Sequence, residues 1–485
     1  MNIQRNKDTF LWYDLETFGL NSRFDRIAQF AAIRTDNNFE IIGDEIIYYC
    51  KVSSDYLPSI EACLVTGITP QECNEKGMNE EEFITKINSE FSQANTTVVG
   101  FNSIKFDDEF IRNALYRNLS NPYSREYKNG CSRWDILPLI RATHDLRGSN
   151  IDWPEKNESN YFTFKLTELT KANHIDQVGA HDALVDVRAT IAMAKLIHER
   201  QPSLYSYYYN LRSKYKIQDE LANNRDKMIC VSDTKLTSEN GCTTLALKIT
   251  DIPNSSNVYL FDLTKDITPL LKASEDDIIN TEGLFYIAIN KCPFIATAKV
   301  INKEVATSLG IDIELCQERA TTLLKHKEIT DRIIKGASSI QYSNDVDDVD
   351  SKIYTAFFSG NDTYSFKTIK KAKLEEKLLL LEKIKFEDSR AKELVYRYIY
   401  RNNEEALNPQ DKEAWYDFAF DRITNPPVDP EQNSLLNYYI RLDEFIEKEN
   451  NLASNSFNKS REYNTLLKLK EYGIQLENKL KNKVN

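Results

Sequence analysis

No uninterrupted apolar stretch in these 485 residues approaches the roughly 18–20 residues of a membrane span. The opening Met1-Asn2-Ile3-Gln4-Arg5-Asn6-Lys7-Asp8 lacks the apolar core of a signal peptide. The eight cysteines are scattered from Cys50 to Cys316, with no Cys-x-x-Cys pair and no histidine at zinc spacing. They read as reduced, packed thiols of a cytoplasmic protein rather than a disulfide framework. Basic charge is in deficit: 62 Lys and Arg against 74 Asp and Glu leave a net charge of −12. That lowers non-specific attraction to nucleic acid without excluding a local groove, because bulk charge governs solubility and long-range steering. No internal repeat is apparent. Ser343–Asp350 is acidic but lacks the glycine and terminal glutamate of a calcium loop, and reads as a linker. The remainder is ordinary for a soluble globular chain, with 41% hydrophobic and 28% charged residues. The length calls for two to four domains.

Against that background, two acids stand one residue apart in Phe10-Leu11-Trp12-Tyr13-Asp14-Leu15-Glu16-Thr17. The run reads as a β-strand, in which positions i and i+2 share a face. Asp14 and Glu16 therefore project together, and two carboxylates that close repel unless a cation lies between them. Oxygen ligands suit Mg²⁺ or Mn²⁺ rather than zinc. Taken alone, the pair also fits a solvated strand end. Thr97–Asn102 reads as a buried strand, and the helix beginning at Phe106 puts Asp107 in its first turn. Ala180-His181-Asp182-Ala183-Leu184-Val185-Asp186 leads into a long amphipathic run that carries Asp186 about one turn inside, with His181 at or before its start.

In this order, the strand Asp-x-Glu, the strand-to-helix Asp and the His-x4-Asp resemble the DEDDh exonuclease superfamily, which sets four acids and one histidine along an RNase H-like sheet. The sequence is similar to bacterial exonuclease I in particular, through Trp12–Gly19, Ala28–Asp36, Gly67–Glu72, Leu169–Asn173 and Ala189–Lys195. Asn290–Pro293 and Phe357–Ser359 extend the resemblance over nearly the whole chain. One departure is Lys165, where the family tends to carry arginine; lysine keeps the charge and loses the planar fork.

Along the chain, residues 8–200 read as an α/β unit, with strand candidates at Phe10–Asp14, Ile27–Thr35 and Phe39–Cys50 and a capping pattern at Asn79-x-x-Glu82. The resemblance makes this the RNase H-like exonuclease domain. Residues 202–350 begin tyrosine-rich and continue as short strand-like runs, Thr243–Ile249, Val258–Asp262 and Gly283–Ile289. This is a β-rich module for which the resemblance implies an SH3-like domain. Residues 351–485 carry Leu and aromatic positions at helical spacing and read as a helical C-terminal domain. Its Tyr396, Tyr398 and Tyr400 read as packing rather than a base-stacking platform.

The resemblance implies a metal-dependent 3′–5′ exodeoxyribonuclease that degrades single-stranded DNA to 5′-mononucleotides in repair and recombination. Two Mg²⁺ ions, with Mn²⁺ as a substitute, fall to Asp14, Glu16 and Asp186, with Asp107 reached through water, and His181 is the general base. Arg112, Arg141, Lys165, Tyr207 and Lys214, together with Glu16, are the candidate contacts to the strand, combining cations for phosphates with an aromatic face. The resemblance also implies docking of the C-terminal tail of single-stranded-DNA-binding protein, with Tyr207 and Lys227 as its pocket and cation. A monomer and no membrane partner are expected. Three other readings are an RNA-trimming or proofreading enzyme, a catalytically dead single-strand binder, and a structural α/β protein. The long second and third domains argue against the first, and the presence of all five catalytic residues argues against the second. The third predicts no response to Mg²⁺.

Overall fold

Strand β1 (Thr9–Thr17) is buried on both faces. Phe10 and Trp12 point one way, and Leu11, Tyr13 and Leu15 the other, the pattern of a central strand with helices on either side. In this computed structural model, residues 8–175, 182–236, 239–339, 346–452 and 460–482 are described. β2 (Ile27–Thr35), β3 (Ile46–Tyr49), β4 (Thr96–Gly100) and β5 (Ser132–Asp135) join β1 in one sheet of order β3-β2-β1-β4-β5. β1 runs antiparallel to β2 and parallel to β4.

The helices of this unit are α1 (Ile60–Thr66), α2 (Pro70–Lys76), α3 (Glu80–Phe91), α4 (Asp107–Arg117), α5 (Leu137–Arg147), α6 (Leu166–Ala172) and α7 (Ala183–Arg200). α3 and α4 cover the Leu11–Tyr13–Leu15 face through Phe83, Ile87, Phe110 and Ile111. α7 covers the Phe10–Trp12 face through Val187, Met193 and Ala194. α3 starts where the capping pattern predicts, with the Asn79 side chain accepting from the Glu82 amide at 2.9 Å. The strand candidate at Phe39–Cys50 shortens to β3. Asp36 accepts from the amides of Asn38 and Glu40, and Phe39 adopts a left-handed φ of 64°, so the chain turns away before rejoining the sheet.

After α8 (Pro202–Asn210) and α9 (Lys214–Asn223) comes a second, antiparallel sheet of order β10-β6-β7-β8-β9. Its strands are β6 (Met228–Ser232), β7 (Thr243–Asp251), β8 (Asn257–Asp262), β9 (Leu284–Ala288) and β10 (Phe294–Thr297). β6 and β10 are short and buried without alternation, so they carry no period-two signal to read. The Tyr208 hydroxyl ties the two units together, lying 3.1 Å from the carbonyl oxygen of Asp135 and 2.7 Å from that of Cys292.

The last unit is helical, built on Ala391–Asn403, Pro409–Thr424, Leu435–Leu452 and Arg461–Lys481 around Leu394, Tyr398 and Trp415. Tyr398 and Tyr400 are buried, as packing residues should be. The acidic linker proves to be buried. Asp350 meets Arg401 at 2.6 Å and Arg422 at 3.1 Å, and Asp348 meets Arg397 at 2.9 Å. Asp55 of the first unit joins them, 2.7 Å from Arg401. Among the described residues no helix is long and apolar enough to cross a membrane.

Candidate active site

Register puts Asp14 opposite Ala31 and Glu16 opposite Gln29, on the sheet face that α7 covers. Gln29 helps to seat that helix: its Nε2 donates to the Tyr49 hydroxyl at 2.8 Å, and its Oε1 accepts from the Ala183 amide at 3.4 Å. Asp182 caps α7 by accepting from the Leu184 amide at 3.1 Å. Asp186, in the first turn, then meets the β1 acids. Ligand oxygens of Asp14, Glu16 and Asp186 lie within 4.8 Å of one another. His181 lies outside the described residues.

Asp107 opens α4, and the loop before it is shaped by Asp135. One oxygen of Asp135 accepts from the amides of Asn102 and Leu137 at 2.9 and 3.0 Å, and the other from Ile104 at 3.2 Å. Burial raises the Asp135 carboxyl to about 6 despite these bonds. Asp108, next to Asp107, turns to the opposite side and pairs with Arg125 at 2.7 Å and Arg133 at 2.8 Å.

The electrostatics favour a cation. Burial, and then the charges of Asp107 and Asp186, push the Asp14 carboxyl well above the usual range. Burial, followed by Asp14, Asp186 and Asp182, pushes Glu16 up to about 9. Asp107 is likewise raised, by burial and by Asp108, Asp135 and Glu16. A bound divalent ion reverses this local field, and an all-oxygen donor set of this spacing fits Mg²⁺ or Mn²⁺.

A cavity of about 750 Å³ lies between the first sheet and the second unit. Arg141 lines it, with its guanidinium 5.6 Å from the Phe164 ring and its Nε without a hydrogen-bond partner. Lys105, Lys235 and Lys291 line it too, and Lys235 Nζ stands 3.4 Å over the Tyr286 ring. These three lysines and Tyr286 escaped the sequence reading, since no local pattern links positions so far apart in the chain.

The remaining candidate contacts are spread out. Lys165 is exposed at the N-cap of α6, and Lys214 is exposed at the start of α9. Tyr207 is half-buried and donates to the Ile295 carbonyl at 2.9 Å, while exposed Lys227 donates to the Asn223 carbonyl at 3.2 Å. Arg112 is committed inside the unit: its fork grips Glu126 at 2.8 and 2.9 Å, and Nη1 reaches Glu109 at 3.0 Å.

A mixed sheet with a carboxylate cluster at β1 and α7 defines an exonuclease domain, and residues 11–194 match the family model described as Exonuclease. Residues 212–336 match the Exonuclease I SH3-like domain, and residues 347–476 match the Exonuclease I C-terminal domain. The chain belongs to the exonuclease I family. It is 36% identical over 484 residues to exodeoxyribonuclease I of Haemophilus influenzae, covering 96% of this chain and 98% of that protein. It is also similar to the zinc-bound E. coli ExoI–ssDNA complex and to an ExoI/SSB-Ct complex. Each is 33% identical with a TM-score of 0.87, covering 97% of this chain and all of the other. The three-part architecture expected from the sequence, an RNase H-like exonuclease domain, an SH3-like domain and a helical C-terminal domain, is the one these matches describe.

Proposed function

We propose that the chain is a Mg²⁺-dependent 3′–5′ exodeoxyribonuclease that degrades single-stranded DNA to 5′-mononucleotides in DNA repair and recombination. The observation that carries this is the convergence of Asp14, Glu16 and Asp186 within 4.8 Å. Asp14, Glu16 and Asp186 ligate directly, and Asp107 ligates through water. When bound, two Mg²⁺ ions, or Mn²⁺ in their place, supply an activated water and stabilise the leaving 3′-oxygen. His181 takes the proton of the attacking water, a contribution of about 10²–10⁴-fold.

Arg141 and Lys165 hold phosphates of the incoming strand, joined by Lys214 and Tyr207, while Glu16 also faces the terminal nucleotide. The groove lysines and Tyr286 supply the mixture of cations and an aromatic face that single strands favour. Arg112 acts through its pair with Glu126. In the same reading, Tyr207 and Lys227 receive the acidic, hydrophobic-ended tail of single-stranded-DNA-binding protein. The ExoI/SSB-Ct complex, a relative of this chain, supports that partner. The working unit is a monomer in the cytoplasm with domains at 8–200, 202–350 and 351–485. Its eight unpaired, buried cysteines suit a reducing compartment.

Incubating the purified chain with end-labelled single-stranded DNA, duplex DNA and RNA, in Mg²⁺ and then in EDTA, tests this function. Degradation of single-stranded DNA alone, and only with Mg²⁺, is expected. Equal degradation of RNA, or activity that survives EDTA, rules it out.

A further inference from the structure

A cavity of about 460 Å³ lies between the loop after β1 and the helical C-terminal unit, apart from both the carboxylate cluster and the groove. This volume falls within the range of small-molecule pockets. Three of its lining residues are more than nine-tenths buried and each keeps a polar atom without a partner: Asp55 Oδ1, Tyr438 Oη and Arg26 Nε. Buried polar atoms are nearly always paired, so three on one cavity point to an occupant. The rest of each group is engaged. Asp55 Oδ2 accepts from Arg401 at 2.7 Å, and Arg26 Nη1 donates to the Phe24 carbonyl at 2.6 Å.

We propose that this cavity binds a nucleoside through the hydrogen-bonding edge of its base. Asp55 accepts, Arg26 donates and Tyr438 donates, so the occupant needs a donor beside acceptors. A bare anion meets Asp55, and a bare cation meets Arg26, Arg422 and Arg441 on the same walls, which leaves a neutral group. Phe24, Leu57, Pro426 and Pro427 supply apolar walls for a planar ring. The ionisation states agree. Burial raises the Tyr438 phenol well above its ordinary value and keeps it a donor. Asp55 is held below the carboxylate range, since Arg401, Arg422 and Arg26 outweigh its burial. Gly19 and Leu20 share the wall and follow directly on the strand that carries Glu16. That the nucleoside is one the enzyme itself releases rests on the nuclease reading.

Calorimetric titration of the full chain in EDTA with each of the four 2′-deoxynucleosides, and with inorganic phosphate, tests the site without turnover. It therefore stands or falls apart from the nuclease activity. Saturable binding of at least one deoxynucleoside is expected, unchanged in Asp186→Ala and weakened roughly five- to tenfold in Tyr438→Phe. Tyr438→Phe removes only an unpartnered hydroxyl, so its melting temperature should hold or rise. No saturable binding by any nucleoside, equal affinity in Tyr438→Phe, loss of binding in Asp186→Ala, or displacement by phosphate overturns the proposal.

Discussion

The hydroxyl of Tyr13 donates to Asp108 Oδ1 across 2.9 Å in the buried heart of the first unit. Each partner is the immediate neighbour of a site carboxylate, Asp14 on β1 and Asp107 on α4, so this one bond sets the strand against the helix start. Burial, then the charges of Asp108 and Asp107, raises the Tyr13 phenol and keeps it a donor. Asp108 stays ionised because Arg125 and Arg133 outweigh its own burial. Tyr13→Phe should cost about 1.5–3 kcal/mol of stability, the range for a hydrogen bond to a charged group. It should also lower kcat while sparing KM. Urea unfolding and steady-state kinetics check both, and wild-type values in both would show that the bond positions nothing.

His181 is assigned a role by chemistry and family pattern alone. His181→Ala should reduce turnover by about 10²–10⁴-fold and leave the affinity for Mg²⁺ or Mn²⁺ nearly unchanged. Calorimetric metal titration separates a general base from a ligand, and a large loss of metal affinity would contradict the general-base role.

The buried acids at the junction of the first and last units set the acid limit of stability. Arg401, Arg397 and Arg422 hold Asp350 well below the carboxylate range against its burial, and Asp55 is lowered in the same way. Both carboxyls therefore release protons more readily when folded. Their contribution is complete above the unfolded value of about 3.9 and is lost as pH falls towards the lowered folded values. The melting temperature should stay level from neutral pH down to about 5 and drop below about 4. Asp350→Asn leaves buried arginines without their partner and should cost about 3–5 kcal/mol at neutral pH. It should also make the acid limb shallower. An acid limb identical to wild type would remove Asp350 from this role.

Much of the site was legible because it rests on local geometry. Period two on β1 places Asp14 and Glu16 together, and the Asp182 cap with its amphipathic run places Asp186 one turn into α7. What stayed hidden depends on partners far away in the chain. Arg112 looked like an open cation, yet Glu126 and Glu109 take its fork. Asp348 and Asp350 looked like linker charge until arginines from two later helices closed on them. Lys105, Lys235 and Lys291 each resemble a solvated surface lysine, and only the packing of two sheets brings them to one cavity.

For the partner surface, Lys227→Ala should weaken binding of a tail peptide from single-stranded-DNA-binding protein and hardly affect degradation of naked single strands. Low ionic strength makes the charge contribution largest. Equal peptide affinity in wild type and variant under those conditions would take Lys227 out of the site.

The central claim is that Asp14, Glu16 and Asp186 form a metal site that hydrolyses the bond at a 3′ end. A time course on single-stranded DNA labelled at its 3′ end, with wild type and Asp186→Ala side by side, tests it most directly. With Mg²⁺, wild type should release the label at once as a mononucleotide. Asp186→Ala should release none, while it still binds the strand and melts at or above the metal-free wild-type temperature, since one like charge is gone. Wild-type turnover by Asp186→Ala, or label retained on the strand while nucleotides leave from the 5′ end, would contradict the claim.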